Sequence, residues 1–346
     1  MIRCFPVFRV LLVVLFSAGL SPAGSPTLHA QTGAAFYYEQ GRSSMTGEDW
    51  YSAAESFLEC VRLNPAHAEG TAALAECYYE LGEFDQALSW IRKARTLARG
   101  NLDLANLEAF ILAALGRLEE ASALITEVLA REPYNKEALF AQAELDIARG
   151  RSGDAVTRYR EAARRYPDDR RLLISLALVL GSLGDTAGAL SSIERALEAH
   201  PGDYRIYYYA AYLNAKAERF PAAIRYVEQA LFYKNGYGPA RSLLASLRYR
   251  SGQYEEAARL ADEAIALNRD DTSAWYLKGM AYIRLRRNSE AIPVLSMASV
   301  IDPEDEFIRS ALEEALIAST GLEDPGRIRW AAWHFARARD FRSRNL

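Results

Sequence analysis

Histidine and cysteine are scarce in this chain, four and three residues in 346, and that scarcity removes whole classes of chemistry. His67, His200 and His334 lie far apart, and no three metal-ligating residues share one helix face. There is no HExxH, no CxxC pair, no GxSxG elbow and no GxGxxG or GxxxxGK[ST] phosphate loop. Acid pairs such as Glu119-Glu120 and Glu255-Glu256 open helices, where carboxylates suit the positive end of the helix dipole better than acid-base work. No enzyme activity, metal or cofactor is implied. Basic charge is also wanting: the net charge of −4 carries no basic stripe of the kind nucleic-acid binding needs.

What the chain has instead is a period. Stepping by 34 from Ala53 lands on Ala87, Ala121, Ala155, Ala189, Ala223, Ala257 and Ala291, so one column is alanine in all eight copies. Twelve residues upstream the column is Gly41, Ala75, Ala109, Ala143, Ala177, Ala211, Ala245 and Gly279, and seven downstream it is Cys60, Ala94, Val128, Ala162, Ala196, Ala230, Ala264 and Ala298. Glycine recurs at Gly82, Gly116, Gly150, Gly184 and Gly252, and proline at Pro65, Pro133, Pro167, Pro201 and Pro303. This reads as two helices and two turns per copy. Glycine ends the first helix, where positive φ is needed. Proline follows the second, and small residues mark where antiparallel helices come closest. Phe57, Ile91, Ile125, Tyr159, Ile193, Val227 and Leu295, four past the alanine column, face the core between them. A single 34-residue unit cannot bury both helix faces, so units must stack.

These columns resemble the tetratricopeptide repeat family, most closely over Gly70–Arg99, where Tyr78, Gly82, Phe84, Ala87, Ile91 and Ala94 are in register. The resemblance implies an all-α fold, a right-handed superhelical solenoid of about eight 34-residue helix-turn-helix repeats with C-terminal capping helices, in one elongated domain. The expected units are 34–67, 68–101, 102–135, 136–169, 170–203, 204–237, 238–271 and 272–305, followed by capping helices and a basic tail over 306–346. Glu48, Glu218 and Arg286 replace the turn glycine, so those turns are expected to be less sharply set. Pro293, inside a second helix, is expected to cost a hydrogen bond and kink its entry.

The two ends of the chain are different objects. Arg3 and Arg9 precede the short apolar run Val10–Phe16 and then small residues and prolines, the pattern of a secretory signal peptide over 1–30 cleaved after Ala30 or Ala23. An uncleaved anchor is the alternative. Export places the chain in the periplasm or another extracytoplasmic compartment, where Cys60 and Cys77 either pair as a disulfide or stay as buried apolar thiols. After the last repeat, Phe307, Ala311, Leu312, Ala315 and Leu316 recur at helical spacing. Arg327–Phe341 then forms a second expected helix; the six arginines from Arg327 to Arg344 against Asp340, with Trp330 and Trp333, suit either a cap or an anionic membrane surface.

In the resembled family the first helices line a concave groove that binds segments of other proteins. Mapped here, the groove is acidic in the early repeats, with Glu69, Glu76, Asp103, Glu137 and Glu144, and basic and aromatic later. The expected partner-binding residues are Arg171, Ile174, Leu178, Arg205, Tyr208, Tyr212, Lys216, Tyr249, Arg250, Tyr276 and Arg284. Ala34–Asp169 holds 15 basic and 23 acidic residues, Arg170–Asp305 17 and 16. The expected function is a non-enzymatic scaffold gripping an acidic or amphipathic partner segment. The alternative is a self-associating or membrane-surface component using the C-terminal basic helix or a retained N-terminal anchor.

Overall fold

The computed structural model describes residues 28–320. Among them every regular element is a helix, in the order α1 (Leu28–Thr46), α2 (Trp50–Leu63), α3 (Ala68–Glu80), α4 (Phe84–Leu97), α5 (Leu102–Ala114), α6 (Leu118–Arg131), α7 (Lys136–Ala148), α8 (Ser152–Arg165) and α9 (Arg170–Ser182). There follow α10 (Thr186–Ala199), α11 (Tyr204–Lys216), α12 (Phe220–Tyr233), α13 (Gly238–Arg250), α14 (Tyr254–Leu267), α15 (Thr272–Arg284), α16 (Asn288–Ile301) and α17 (Glu306–Thr320). This is the all-α helical repeat solenoid the period implied. α1 starts at Leu28, ahead of the first expected unit, 34–67. The chain divides into two compact units, Met1–Val179 and Leu180–Leu346. A stack whose repeats touch only their neighbours has no single core to hold it as one body.

The small columns do what their size requires. Every alanine from Ala53 to Ala291 at the 34-residue spacing is buried. A side-chain carbon added to Gly41 would lie 2.7 Å from the Phe57 ring, and one on Gly279 would lie 2.4 Å from Leu295. Both are impossible contacts, so the large residue of the second helix occupies the space that glycine leaves on the first.

The turns depart from expectation. Glu48, Glu218 and Arg286 have φ of 61°, 58° and 60°, the same left-handed conformation as Gly82 at 80° and Gly252 at 76°. Their hydrogen bonds repeat as well: Asp49 N donates to Ser44 O, Arg219 N to Asn214 O and Arg287 N to Tyr282 O, as Glu83 N does to Tyr78 O. Packing of the helix pair dictates the turn, and a residue with a β-carbon is forced into it at a cost of about 1–2 kcal/mol. Pro293 lies within α16, which continues past it to Ile301.

A further column sets the helix starts. His67, Asn101, Asn135, Asp169, Asp203, Asp271 and Asp305 each accept a backbone N–H of the helix that follows, at 2.9–3.3 Å. Each such cap contributes about 1 kcal/mol. α17 is one of the helices capped in this way. It buries Ala311, Leu312, Ala315 and Leu316 against Ala291, Ile292 and Leu295, closing the last repeat. Phe307, expected on that buried face, is 76% exposed, and Ile308 takes its place. The expected basic helix 327–341 and most of the expected signal peptide lie outside the described residues.

Candidate partner-binding faces

Within each unit the first helices of successive repeats touch one another: α3 with α5 and α5 with α7, then α11 with α13, α13 with α15 and α15 with α17. Among the described residues no pair of second helices packs comparably. Each stack therefore curves with its first helices on the inner side, and a partner reaching that side meets their side chains.

In the first unit this face is largely consumed by internal pairing. Arg171 is mostly buried, forms an ion pair with Glu137 and lies 4.2 Å over the Phe140 ring. Burial lowers its pKa to about 10. Phe140 in turn packs at a tilt on Phe110 and on Tyr159, ring centroids 6.0 and 5.6 Å apart. The Tyr159 hydroxyl donates to the buried carboxylate of Glu144, whose pKa burial raises to about 7 against the opposing effect of that bond. Arg171 is therefore not a free cation awaiting a ligand. Ile174 is buried, 3% exposed, and belongs to the core, while Leu178 is half-buried.

The second unit keeps its anchors at the surface. Tyr212 is 42% exposed, and Lys216, Arg250 and Arg284 are exposed on the same helix faces. Tyr208 is half-buried, ring to edge against Tyr209 and Tyr237 at 5.2 and 5.4 Å. Burial first, then the neighbouring Tyr209 and Tyr212, raises its pKa to about 12. Arg205 donates to the Tyr204 hydroxyl at 3.0 Å, and Arg284 to the Tyr249 hydroxyl at 3.1 Å. Tyr276 packs against the cluster under α17. Arg250 lies over the Phe220 ring at 4.3 Å. Tyr207 is half-buried and stacks on Tyr233 at 5.3 Å.

Cys60 and Cys77 are both buried as free thiols and form no bridge. The Cys60 sulfur fills the gap over Gly70, 2.9 Å from where a β-carbon there would stand. Cys77 packs with Phe57 and Leu74. Burial raises the Cys60 thiol to about 11, so both behave as apolar filler.

Helix pairs recurring every 34 residues, closed by a further capped helix, define an all-α repeat protein of the solenoid kind. Sequence models of the tetratricopeptide repeat match residues 112–178, 174–239 and 242–306, together more than half of the chain, and the chain belongs to that family. Residues 48–128 also match the model of anaphase-promoting complex (cyclosome) subunit 3. Among solved structures, a chain of the APC/C hetero-tetramer Cut9–Hcn1 is 15% identical with a TM-score of 0.59 over 82% of this chain. The match takes in 54% of the Cut9–Hcn1 chain, so this protein spans about half of that relative's length. A tetratricopeptide repeat protein from Parabacteroides merdae is 16% identical with a TM-score of 0.52, over 82% of this chain and 99% of that one. At these identities the likeness is one of fold. A search of the curated proteins finds no match.

Proposed function

We propose that the protein is a non-enzymatic scaffold of the cell envelope, whose second unit grips a segment of another protein along the inner side of α11, α13 and α15. The observation that carries this reading is Tyr212, a large aromatic left 42% exposed beside half-buried Tyr208. Lys216 follows Tyr212 by one turn on α11, and Arg250 and Arg284 hold the equivalent position on α13 and α15. Tyrosine and arginine dominate interface energies, and tyrosine loses little entropy when fixed. The cations favour an acidic, amphipathic partner. Export is supported by the sequence of residues 1–30, with Arg3 and Arg9 ahead of a short apolar run. The test uses a synthetic amphipathic helix of leucine and glutamate. Replacing Tyr208 and Tyr212 by alanine is expected to weaken its binding by tenfold or more with little change in Tm. Unchanged binding overturns the assignment, and a collapse in Tm reassigns the two rings to the core.

A further inference from the structure

The described residues contain four buried acids, Glu76, Glu108, Glu144 and Asp146, and all four lie in the first unit. Three are answered. Glu108 pairs with Arg92 and Arg95, Asp146 with Arg151 and Arg158, and Glu144 takes the Tyr159 hydroxyl. Glu76, 8% exposed, has no hydrogen bond or ion pair to its carboxylate among the described residues.

The repeat explains the omission. Glu76 and Glu144 are the same position two periods apart, as are Ile91 and Tyr159. Where Tyr159 offers Glu144 a hydroxyl, the second repeat has Ile91, which has nothing to donate. A buried carboxylate without a donor is costly, by far more than a surface charge. It is tolerated where something else supplies the missing group.

Glu76 lines a shallow recess, open to solvent, between α1, α3 and α5. Its polar walls are Tyr38 and Arg42 on α1, Glu69 on α3 and Asp103 on α5, and Leu104 and Leu107 provide an apolar floor. Glu69 and Asp103 also occupy a repeating position, the one that continues as Glu137 and Arg171. In the later pair of repeats the column supplies an acid and its guanidinium. In this earlier pair it supplies two acids that both line the recess, neither with an ion-pair partner among the described residues. The one cation present, Arg42, lies 3.6 Å from Glu39 and over the Tyr38 ring.

From this we infer that the recess between α1, α3 and α5 receives the basic side chain of a partner segment, an arginine or lysine whose charge sits between Glu69, Glu76 and Asp103. The incoming group takes the place that Arg171 fills internally against Glu137, with its stem on Leu104 and Leu107 as Arg171 lies on Phe140. This rests on the reading of the chain as a scaffold for partner segments, and adds a second, oppositely charged subsite to it.

Proton linkage gives the subsite a signature. The groups facing Glu76 are Tyr38, Arg42, Glu69, Asp103, Cys77 and Glu80. Burial, then Glu80, raises the Glu76 carboxyl to about 8 in the free protein. A bound cation favours the ionised form, so binding expels a proton and strengthens as pH rises toward 8, by at most about tenfold per pH unit for one group.

The probe is fluorescein-labelled hexaarginine, titrated with the full chain at low salt and read by anisotropy at pH 6 and pH 8.5. Affinity is expected to rise about tenfold across that range. Glu76→Gln is expected to lose about tenfold at pH 8.5, flatten the pH response and melt no lower than the parent protein. Glu55→Gln, which removes an exposed charge on α2, is expected to lose less than twofold. Equal losses for Glu55→Gln and Glu76→Gln, or an unchanged pH response in Glu76→Gln, overturn the subsite. If hexaarginine fails to bind while the leucine-glutamate helix still binds through Tyr208 and Tyr212, only the recess is refuted. If both fail, the scaffold reading goes with it.

Discussion

Glu144 and Tyr212 hold the same place in their repeats, two periods apart, and could hardly be used more differently. Glu144 lies under the surface of the first unit, bonded to Tyr159, while Tyr212 stands out from the second at 42% exposure. The difference runs through both units. Among the described residues the first buries four acids and spends arginine on two of them, Glu108 and Asp146. Among its described residues the second buries only uncharged polar groups, Ser192, Asn214 and Ser296, each of which bonds a carbonyl one turn back along its own helix. One backbone grammar thus carries two kinds of inner face, because the alanine columns fix the helices and leave the remaining positions free to vary.

The comparison breaks first if the shared framework is not equally important in both units. Phe57→Ala, which opens the space over Gly41, and Leu295→Ala, which opens that over Gly279, are each expected to cost about 3–5 kcal/mol in chemical denaturation. A loss of less than 1 kcal/mol at either site would mean that its unit does not rely on the column. The next effect is confined to the first unit. Removing Arg151 and Arg158 together leaves Asp146 buried and unpaired, at an expected cost of about 3 kcal/mol. Removing the exposed Arg259 from the second unit should fall within about 0.5 kcal/mol.

The third effect depends on pH. Glu76 and Glu144 have folded pKa values raised to about 8 and about 7, above the ordinary glutamate value. At these two sites the folded chain holds more protons than the unfolded one between pH 4.5 and 8, so the stability they contribute falls as pH rises through that window. Each pKa unit corresponds to about 1.4 kcal/mol. Glu76→Gln is expected to reduce this slope and to raise Tm at pH 9, with little effect at pH 5. An unchanged slope would show that Glu76 is not ionising within the fold. The smallest effect is common to both units. Glu48→Gly and Arg286→Gly relieve a left-handed residue with a β-carbon and should each stabilise by up to about 1 kcal/mol, measured as a shift in the denaturation midpoint.

The fold was legible because its information sits in side-chain size, and size is visible in a sequence. Ala53 to Ala291 announce the close contact directly. The left-handed turns at Glu48, Glu218 and Arg286 were not, because there the helix pair overrules local preference. Two signals were present but unread. The column from His67 to Asp305 is almost wholly Asp and Asn, the composition of a helix cap, and needed only the same 34-residue step to be seen. The other was the repetition of Glu76 at Glu144 with Ile91 exchanged for Tyr159. The candidate faces were legible by position and not by availability. Arg171 and Arg284 share an expected role, yet one is enclosed by Glu137 and Phe140 while the other is exposed with a single tyrosine partner. Whether a charge is free depends on neighbours a full period away, which no local window contains.

Glu137 and Arg171 are separated by one period, so the bond between them joins equivalent sites in successive copies. Such a bond is written in the relation between copies and not in any one of them. Splicing out or duplicating a whole copy would leave every alanine junction intact while exchanging which acid confronts which base. Recombination can therefore redraw the chemistry of the lining in single steps without ever passing through an unfolded ancestor.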